Sequence, residues 1–206
     1  MKKIVIVKTG SGVLLTNHHK LDPFWINHIA EQVAVLAQKD IGVVLVVSGA
    51  VVGGIAHFKD ATSVLAKQAA AGIGQAQLTA AFYESFNRKH IQIAQVLLTN
   101  GRSKKKKHLT QLLKLYLNSG IVPVLNENDV IELNSFGGND YVAGFIAHLL
   151  NANHVIMLSQ KKKSVYGIGG AVAKSEVVSS LTDKSIKTHV VNGKSKNIIV
   201  KTVEEI

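Results

Sequence analysis

At 206 residues, with 47% hydrophobic and 5% aromatic side chains, the chain has the length of one domain and the composition of an α/β core built from Val, Ile, Leu and Ala. The absence of cysteine excludes disulfides and thiolate metal sites. No apolar run approaches the ~20 residues of a membrane-spanning helix, so a cytoplasmic protein is expected. The formal charge of +11 invites a nucleic-acid partner through counterion release. However, Arg88 and Arg102 are the only arginines, and the lysine runs 104–107 and 161–163 carry no interleaved aromatics. Solvated surface is the expectation for those runs, and a nucleic-acid partner is not.

Along the chain, short β-branched runs alternate with Gly- or Asn-rich turns and longer helical stretches, which predicts parallel strands covered by helices on both faces. The first strand, about Lys3 to Lys8, enters Thr9-Gly10-Ser11-Gly12. Asp22 before Pro23 reads as a cap with proline at the first helical position, and Trp25, Ile29, Val33 and Leu36 follow at helical spacing toward Gly42. A second strand, Val43 to Val47, runs into Ser48-Gly49-Ala50, and an Ala- and Gln-rich helical region extends from about Ser63 to Asn87. A third strand, about Ile91 to Leu97, precedes a lysine-rich helix stopping at Gly120, and Ile121 to Leu125 delivers Asn126-Glu127-Asn128-Asp129. A short hairpin arm is expected next, then a helix opened by Gly137-Gly138-Asn139-Asp140 and reaching Leu150. The fifth strand is Val155 to Leu158; a glycine cluster at 167, 169 and 170, a short helix and a last strand near Thr188 to Val191 complete the pattern. No repeat or linker interrupts residues 1–206, so one domain is expected.

In an open parallel sheet, ligands bind beyond the carboxyl ends of the strands, where the polar clusters fall. Lys8 followed by Gly10 and Gly12 joins a cation to glycine amides that can approach phosphate, without the Walker order of glycines before lysine. An exposed lysine at a strand end fits the same residues. Ser48-Gly49-Ala50 offers a hydroxyl and helix-start amides, or else an ordinary turn. The polar run from Asn126 to Asp129 after a buried strand can bind the amino group of an amino acid, or form an Asx turn. Asp140 near a helix start reads as a cap or as an anchor for cations. Lys8 and Lys174, with one aspartate to hold them, would suit phosphoryl transfer. The nine histidines show no HExxH-type spacing, so no protein-made metal site is expected.

Taken together, VKTGSGVLLT, VVSGAVVGG, KQAAAGIGQAQL, QVLLT, GIVPVLNENDV and FGGNDYVAGFIAHLLNA, covering most of residues 3–158, resemble glutamate 5-kinase of the amino-acid kinase family. The combination of SGAV, KQAAAxxGQ and NEND carries the likeness. It implies a three-layer αβα sandwich around a mainly parallel sheet, ATP with Mg2+, and transfer of the γ-phosphoryl group to the γ-carboxylate of L-glutamate, the first step of proline biosynthesis. The implied catalytic residues are Lys8, Asp140 and Lys174, and the implied substrate-binding residues are Ser48, Asn126, Asp129 and Asn139. Nucleotide contacts would come from Lys8, Gly10, Ser159, Gln160, Gly169, Gly170 and Lys174. The implied partners are glutamyl phosphate reductase, accepting the product, and further copies of the chain in a homo-oligomer.

Departures from the family pattern concentrate after about residue 158. The family's threonine-aspartate nucleotide motif stands here as Ser159-Gln160, with Lys161, Lys162 and Lys163 following, and the chain runs almost directly from Tyr166 to the glycines. Ala171 and Ala173 replace a methionine and a threonine of that loop, and Gly138 replaces an aspartate. The resemblance therefore implies a truncated C-terminal nucleotide-binding part and no PUA domain. Two other readings stay open: a catalytically impaired relative with a binding or regulatory role, and a kinase for another small acid.

Overall fold

The computed structural model describes residues 3–59, 62–100, 106–160, 171–182 and 185–205. Six strands form one sheet: β1 (Ile4–Thr9), β2 (Gly42–Val47), β3 (Ile93–Leu98), β4 (Val122–Glu127), β5 (His154–Ser159) and β6 (Lys187–Asn192). Their order is β3-β4-β2-β1-β5-β6, and every pairing is parallel. β1 and β2 are central, and β2 is buried along its whole length, as expected where helices cover both faces.

The helices are α1 (Ser11–Leu14), α2 (Pro23–Gln38), α3 (Ala50–Gly54), α4 (Val64–Asn87), α5 (Lys106–Asn118), α6 (Asn139–Leu150), α7 (Ala171–Thr182) and α8 (Ile198–Glu204). On one face, Ile29, Val33 and Leu36 of α2, Phe82 and Phe86 of α4, and Ile199 of α8 pack on Val5, Val7 and Leu45. On the other, Leu113 of α5, Ile146 of α6 and Val177 of α7 pack on Ile6, Val44, Val155 and Met157. Alternate residues of each strand thus serve opposite cores, giving the expected αβα sandwich. Asp22 caps α2 by accepting from Trp25 N, and Ser63 caps α4 by accepting from Ala66 N.

One local expectation changes and one open reading is decided. Residues 128–138 form turns instead of a hairpin arm, because their backbone donors go to carboxylates: Asn134 N to Asp129 Oδ1 at 2.9 Å and Phe136 N to Glu127 Oε1 at 2.7 Å. Asp140 is the second residue of α6, not its cap. Gly138 occupies the cap position with φ 116°, a left-handed-side conformation that suits glycine, and the Asp140 side chain turns to cations. The glycine cluster at 167, 169 and 170 lies outside the described residues.

At the amino end of β5, away from these turns, His154 is 3% exposed and its ring centroid lies 5.9 Å from that of His189 on β6. Burial first, then Lys3, His189 and Lys187, push the His154 pKa from 6.5 down to about 4. Above pH 6.5 the imidazole is neutral in folded and unfolded chains alike. As pH falls from 6.5 toward about 4, the unfolded chain gains a proton that the folded chain refuses. The His154 contribution to stability is therefore expected to decline by up to roughly 1.4 kcal/mol per pH unit across that window, with His189 acting in the same direction and the raised carboxyls of Glu127 and Asp129 in the opposite one. Urea midpoints measured from pH 8 to pH 4 check this, and His154→Phe should flatten the slope.

Candidate functional site

The parallel register brings the carboxyl ends of β1, β2, β4 and β5 together, and the amino ends of α6 and α7 meet them there. Lys8 reaches Asp140 Oδ1 at 2.8 Å, and Lys174, four residues into α7, reaches Asp140 Oδ2 at 3.3 Å. One carboxylate thus holds two ammonium groups from segments 166 residues apart in sequence. Lys8 and Asp140 are almost inaccessible, whereas the Lys174 side chain keeps 21% exposure. Burial pushes the Lys8 pKa below its ordinary value; Asp140 opposes that shift and Lys174 adds to it. With two cations and one anion, the group carries a net positive charge, and each ammonium keeps donors beyond the one aimed at Asp140. That surplus fits an anionic, many-acceptor ligand such as a phosphoryl group.

Next to Asp140, Asn139 Nδ2 donates to Ser48 Oγ at 3.1 Å and to Asn126 Oδ1 at 2.8 Å. Ser48 follows β2 directly and precedes the left-handed Gly49 (φ 113°), the position before α3. Asn126 lies inside β4 and is 1% exposed. Three of the four expected substrate-binding residues therefore form one hydrogen-bonded cluster against the lysine–aspartate group. One acceptor there, Asn139 Oδ1, is buried without a hydrogen-bond partner among the described residues. Asp129 stands apart: its hydrogen bond runs to Asn134 N, and burial raises its pKa.

The residues expected to contact nucleotide are only partly gathered. Gly10 N–H is committed to Leu158 O at 3.1 Å, joining the first turn to β5 instead of projecting into the site. Gln160 lies across that turn, and a Cβ on Gly12 would meet its Oε1 at 3.2 Å. Ser159 Oγ donates to Gln160 O at 3.4 Å. Gly169 and Gly170 lie outside the described residues. Among the described residues, no group of three His, Cys, Asp or Glu side chains could hold a metal ion.

Two residues stood unassigned by sequence reading. Glu127, 4% exposed, accepts from Phe136 N and from the Gly138 backbone and so holds the loop that leads into α6; burial raises its pKa. Gln75 of α4, 8% exposed, accepts from Asn126 Nδ2 at 2.7 Å. The polar run after β4 points to Glu127, and the KQAAAxxGQ segment contains Gln75, but neither pattern specifies a hydrogen-bond partner.

The description of the amino acid kinase family matches residues 3–204. The chain belongs to that family. It is 29% identical to glutamate 5-kinase of Bacteroides thetaiotaomicron over an alignment covering 98% of this chain and 67% of the relative. It is 28% identical to glutamate 5-kinase of Chlorobaculum tepidum, covering 95% and 64%. With glutamate 5-kinase of Chromohalobacter salexigens it shares 37% identity over 77% of this chain and 44% of the relative. The chain thus spans from under half to two thirds of the length of these relatives.

Among solved structures, UMP kinase from Ureaplasma parvum superposes with a TM-score of 0.67 at 17% identity, covering 100% of this chain and 96% of that one. Isopentenyl phosphate kinase from T. acidophilum gives 0.70 at 15% identity, covering 98% and 97%. At such identities these likenesses bear on the fold alone. The amino acid kinase fold expected from the sequence is the fold observed, and its sheet is parallel throughout the described strands. No described helix is long and apolar enough to cross a membrane.

Proposed function

We propose that this site transfers the γ-phosphoryl group of ATP to the γ-carboxylate of L-glutamate. The observation that carries the reading is the union of a buried Lys8–Asp140–Lys174 group with the Ser48–Asn139–Asn126 cluster at the carboxyl end of one parallel sheet. The first can neutralise a transferring phosphoryl group, and the second can orient a small polar acceptor. The likeness to glutamate 5-kinases supports the choice of acceptor.

A carboxylate with a pKa of about 4.3 is already ionised at pH 7, so it attacks phosphorus without a general base. Its oxygen forms the new O–P bond while the bond to the bridging oxygen breaks, and the electron pair leaves with ADP. Asp140 is committed to two lysines, so its role is to fix them. Lys8, at the end of β1, would lie on the transferred group, and Lys174 would offset charge on the leaving phosphates. When bound with the nucleotide, Mg2+ would supply further neutralisation of phosphate charge, beside that offered by Lys8 and Lys174. Gln160, Gly10 and Ser159 would frame the nucleotide side.

The acyl phosphate formed is an activated ester that hydroxylamine intercepts. Purified protein with ATP, magnesium and L-glutamate is therefore expected to yield γ-glutamyl hydroxamate together with stoichiometric ADP. ADP formed with another small acid but not with glutamate would reassign the acceptor. ADP formation independent of any acid, or no turnover at all, would overturn the reading.

A further inference from the structure

Gln75 lies one hydrogen bond behind the Ser48–Asn139–Asn126 cluster, in a chain of bonds whose sense is fixed by the backbone. Glu127 N can only donate, and it donates to Asn126 Oδ1 at 2.9 Å. That bond sets which end of the Asn126 amide faces which neighbour. Oδ1 faces Asn139, whose Nδ2 donates to it, and Nδ2 faces Gln75 Oε1 at 2.7 Å. Gln75 can serve as that acceptor because its own Nε2 is engaged at Thr79 Oγ1, 3.1 Å away, where Gln95 Nε2 also donates at 2.8 Å. At the far end, the second Nδ2 proton of Asn139 goes to Ser48 Oγ. A hydroxyl that accepts from Asn139 has a single proton left, and among the described residues nothing accepts it.

We propose that Gln75 is a positioning residue: through Asn126 and Asn139 it fixes the half-buried Ser48 hydroxyl as a hydrogen-bond donor toward a carboxylate oxygen of the acceptor. Its target rests on the reading of the acceptor as glutamate, whereas the relay itself does not. Without an acceptor at position 75, the buried Asn126 Nδ2 loses its partner. The amide, then anchored only at its Oδ1, swings off its present direction without reversing, Asn139 follows, and Ser48 no longer presents its proton in one direction. The arrangement favours a ligand that offers an anionic oxygen to Ser48 and disfavours one that offers a donor there.

The test pairs Gln75→Met, which keeps the volume and removes the acceptor, with Gln75→Glu, which keeps an acceptor while the Thr79 hydroxyl turns to donate. Calorimetry without nucleotide is expected to show L-glutamate affinity reduced about tenfold by Gln75→Met and held within about threefold by Gln75→Glu. In a Ser48→Ala background, Gln75→Met should add less than about a twofold loss, since the two act on one contact. Nucleotide affinity should be unchanged in both.

Independently of any ligand, the side-chain amide resonances of Asn126 and Asn139 should move together in Gln75→Met and stay in place in Gln75→Glu. An unmoved Asn139 resonance, or a Gln75→Met loss that persists in full on Ser48→Ala, would overturn the proposal. A native protein that binds glutamate with the predicted coupling but forms no hydroxamate would remove the kinase reading and leave the relay standing. A native protein that does not bind glutamate removes that acceptor, and the amide resonances then decide the relay.

Discussion

Asp140→Ala is expected to abolish hydroxamate formation, with a fall in turnover of at least about a thousandfold, and to destabilise the fold by roughly 3–5 kcal/mol. Both effects share one cause. Asp140 is 2% exposed and holds Lys8 at 2.8 Å and Lys174 at 3.3 Å, so its removal leaves Lys8 buried and unpaired and releases Lys174 toward solvent. Breaking a buried pair by deleting one member costs more than replacing both by apolar groups, because the stranded charge must be desolvated alone. Adding Lys8→Met to Asp140→Ala is accordingly expected to recover most of the stability and none of the activity. Denaturant midpoints and hydroxamate rates on the single and double variants check both halves.

Gly74→Ala should be the most damaging single methyl addition in the scaffold, with at least about 3 kcal/mol of stability lost. Its Cβ would stand 1.9 Å from Ala50 O, and the reciprocal contact places a Cβ on Gly54 2.0 Å from Ala70 O. Both obstacles are backbone carbonyls, so no rotamer change relieves them, and α3 must move away from α4. Ala50 follows Ser48 by two residues, so the same displacement shifts the Ser48 hydroxyl and raises the KM for the acceptor. Gly72→Ala supplies the contrast. There the new Cβ meets only Val130 Cγ2 at 3.6 Å, and alanine inside a helix is favoured by roughly 0.5–1 kcal/mol. Thermal melts of the two variants should move in opposite directions.

Much of the fold was legible because its signals are local. The alternation of β-branched runs with capped helical stretches placed all six strands to within a few residues, since strands buried on both faces read as unbroken apolar runs. The strand expected from Ile91 begins at Ile93 because Ile91 N is spent closing α4, donating to Phe86 O at 3.1 Å. The helix Ile198–Glu204 carries no such local mark. Its start is held from α2, by Gln32 Oε1 accepting from Ile199 N at 2.7 Å and His28 Nε2 accepting from Asn197 N at 3.0 Å. Partners so far apart in sequence leave no periodicity to read.

The candidate site divides along the same line. Polar residues at strand ends announced Ser48 and Asn126 as residues of interest, because a parallel sheet gathers such ends on one side, whereas Asn139 stood at a helix start and took its role from the family resemblance. The choice between cap and cation anchor for Asp140 required the third dimension: Gly138 takes the cap position, and two lysines from distant strands and helices converge on the carboxylate. Gln75 closes the KQAAAxxGQ segment, but its role was hidden for a related reason. Within α4 it sits among small residues that suggest close helix packing, and its function in the relay comes from Asn126 on β4 and from Thr79 one turn along α4. Family likeness supplied roles for residues, but the direction of each amide is a property of the assembled hydrogen bonds.

The measurement that bears most directly on phosphoryl transfer to glutamate is the fate of an isotope in the acceptor oxygen. With L-glutamate carrying 18O in its γ-carboxylate, ATP, magnesium and hydroxylamine, attack of that carboxylate on phosphorus places one labelled oxygen between carbon and phosphorus. Hydroxylamine then cleaves at the carbonyl carbon, so the released phosphate is expected to contain one 18O, visible as an isotope shift in its phosphorus resonance. Phosphate released without label would show that water, and not the glutamate carboxylate, attacks at the site, and would contradict the account.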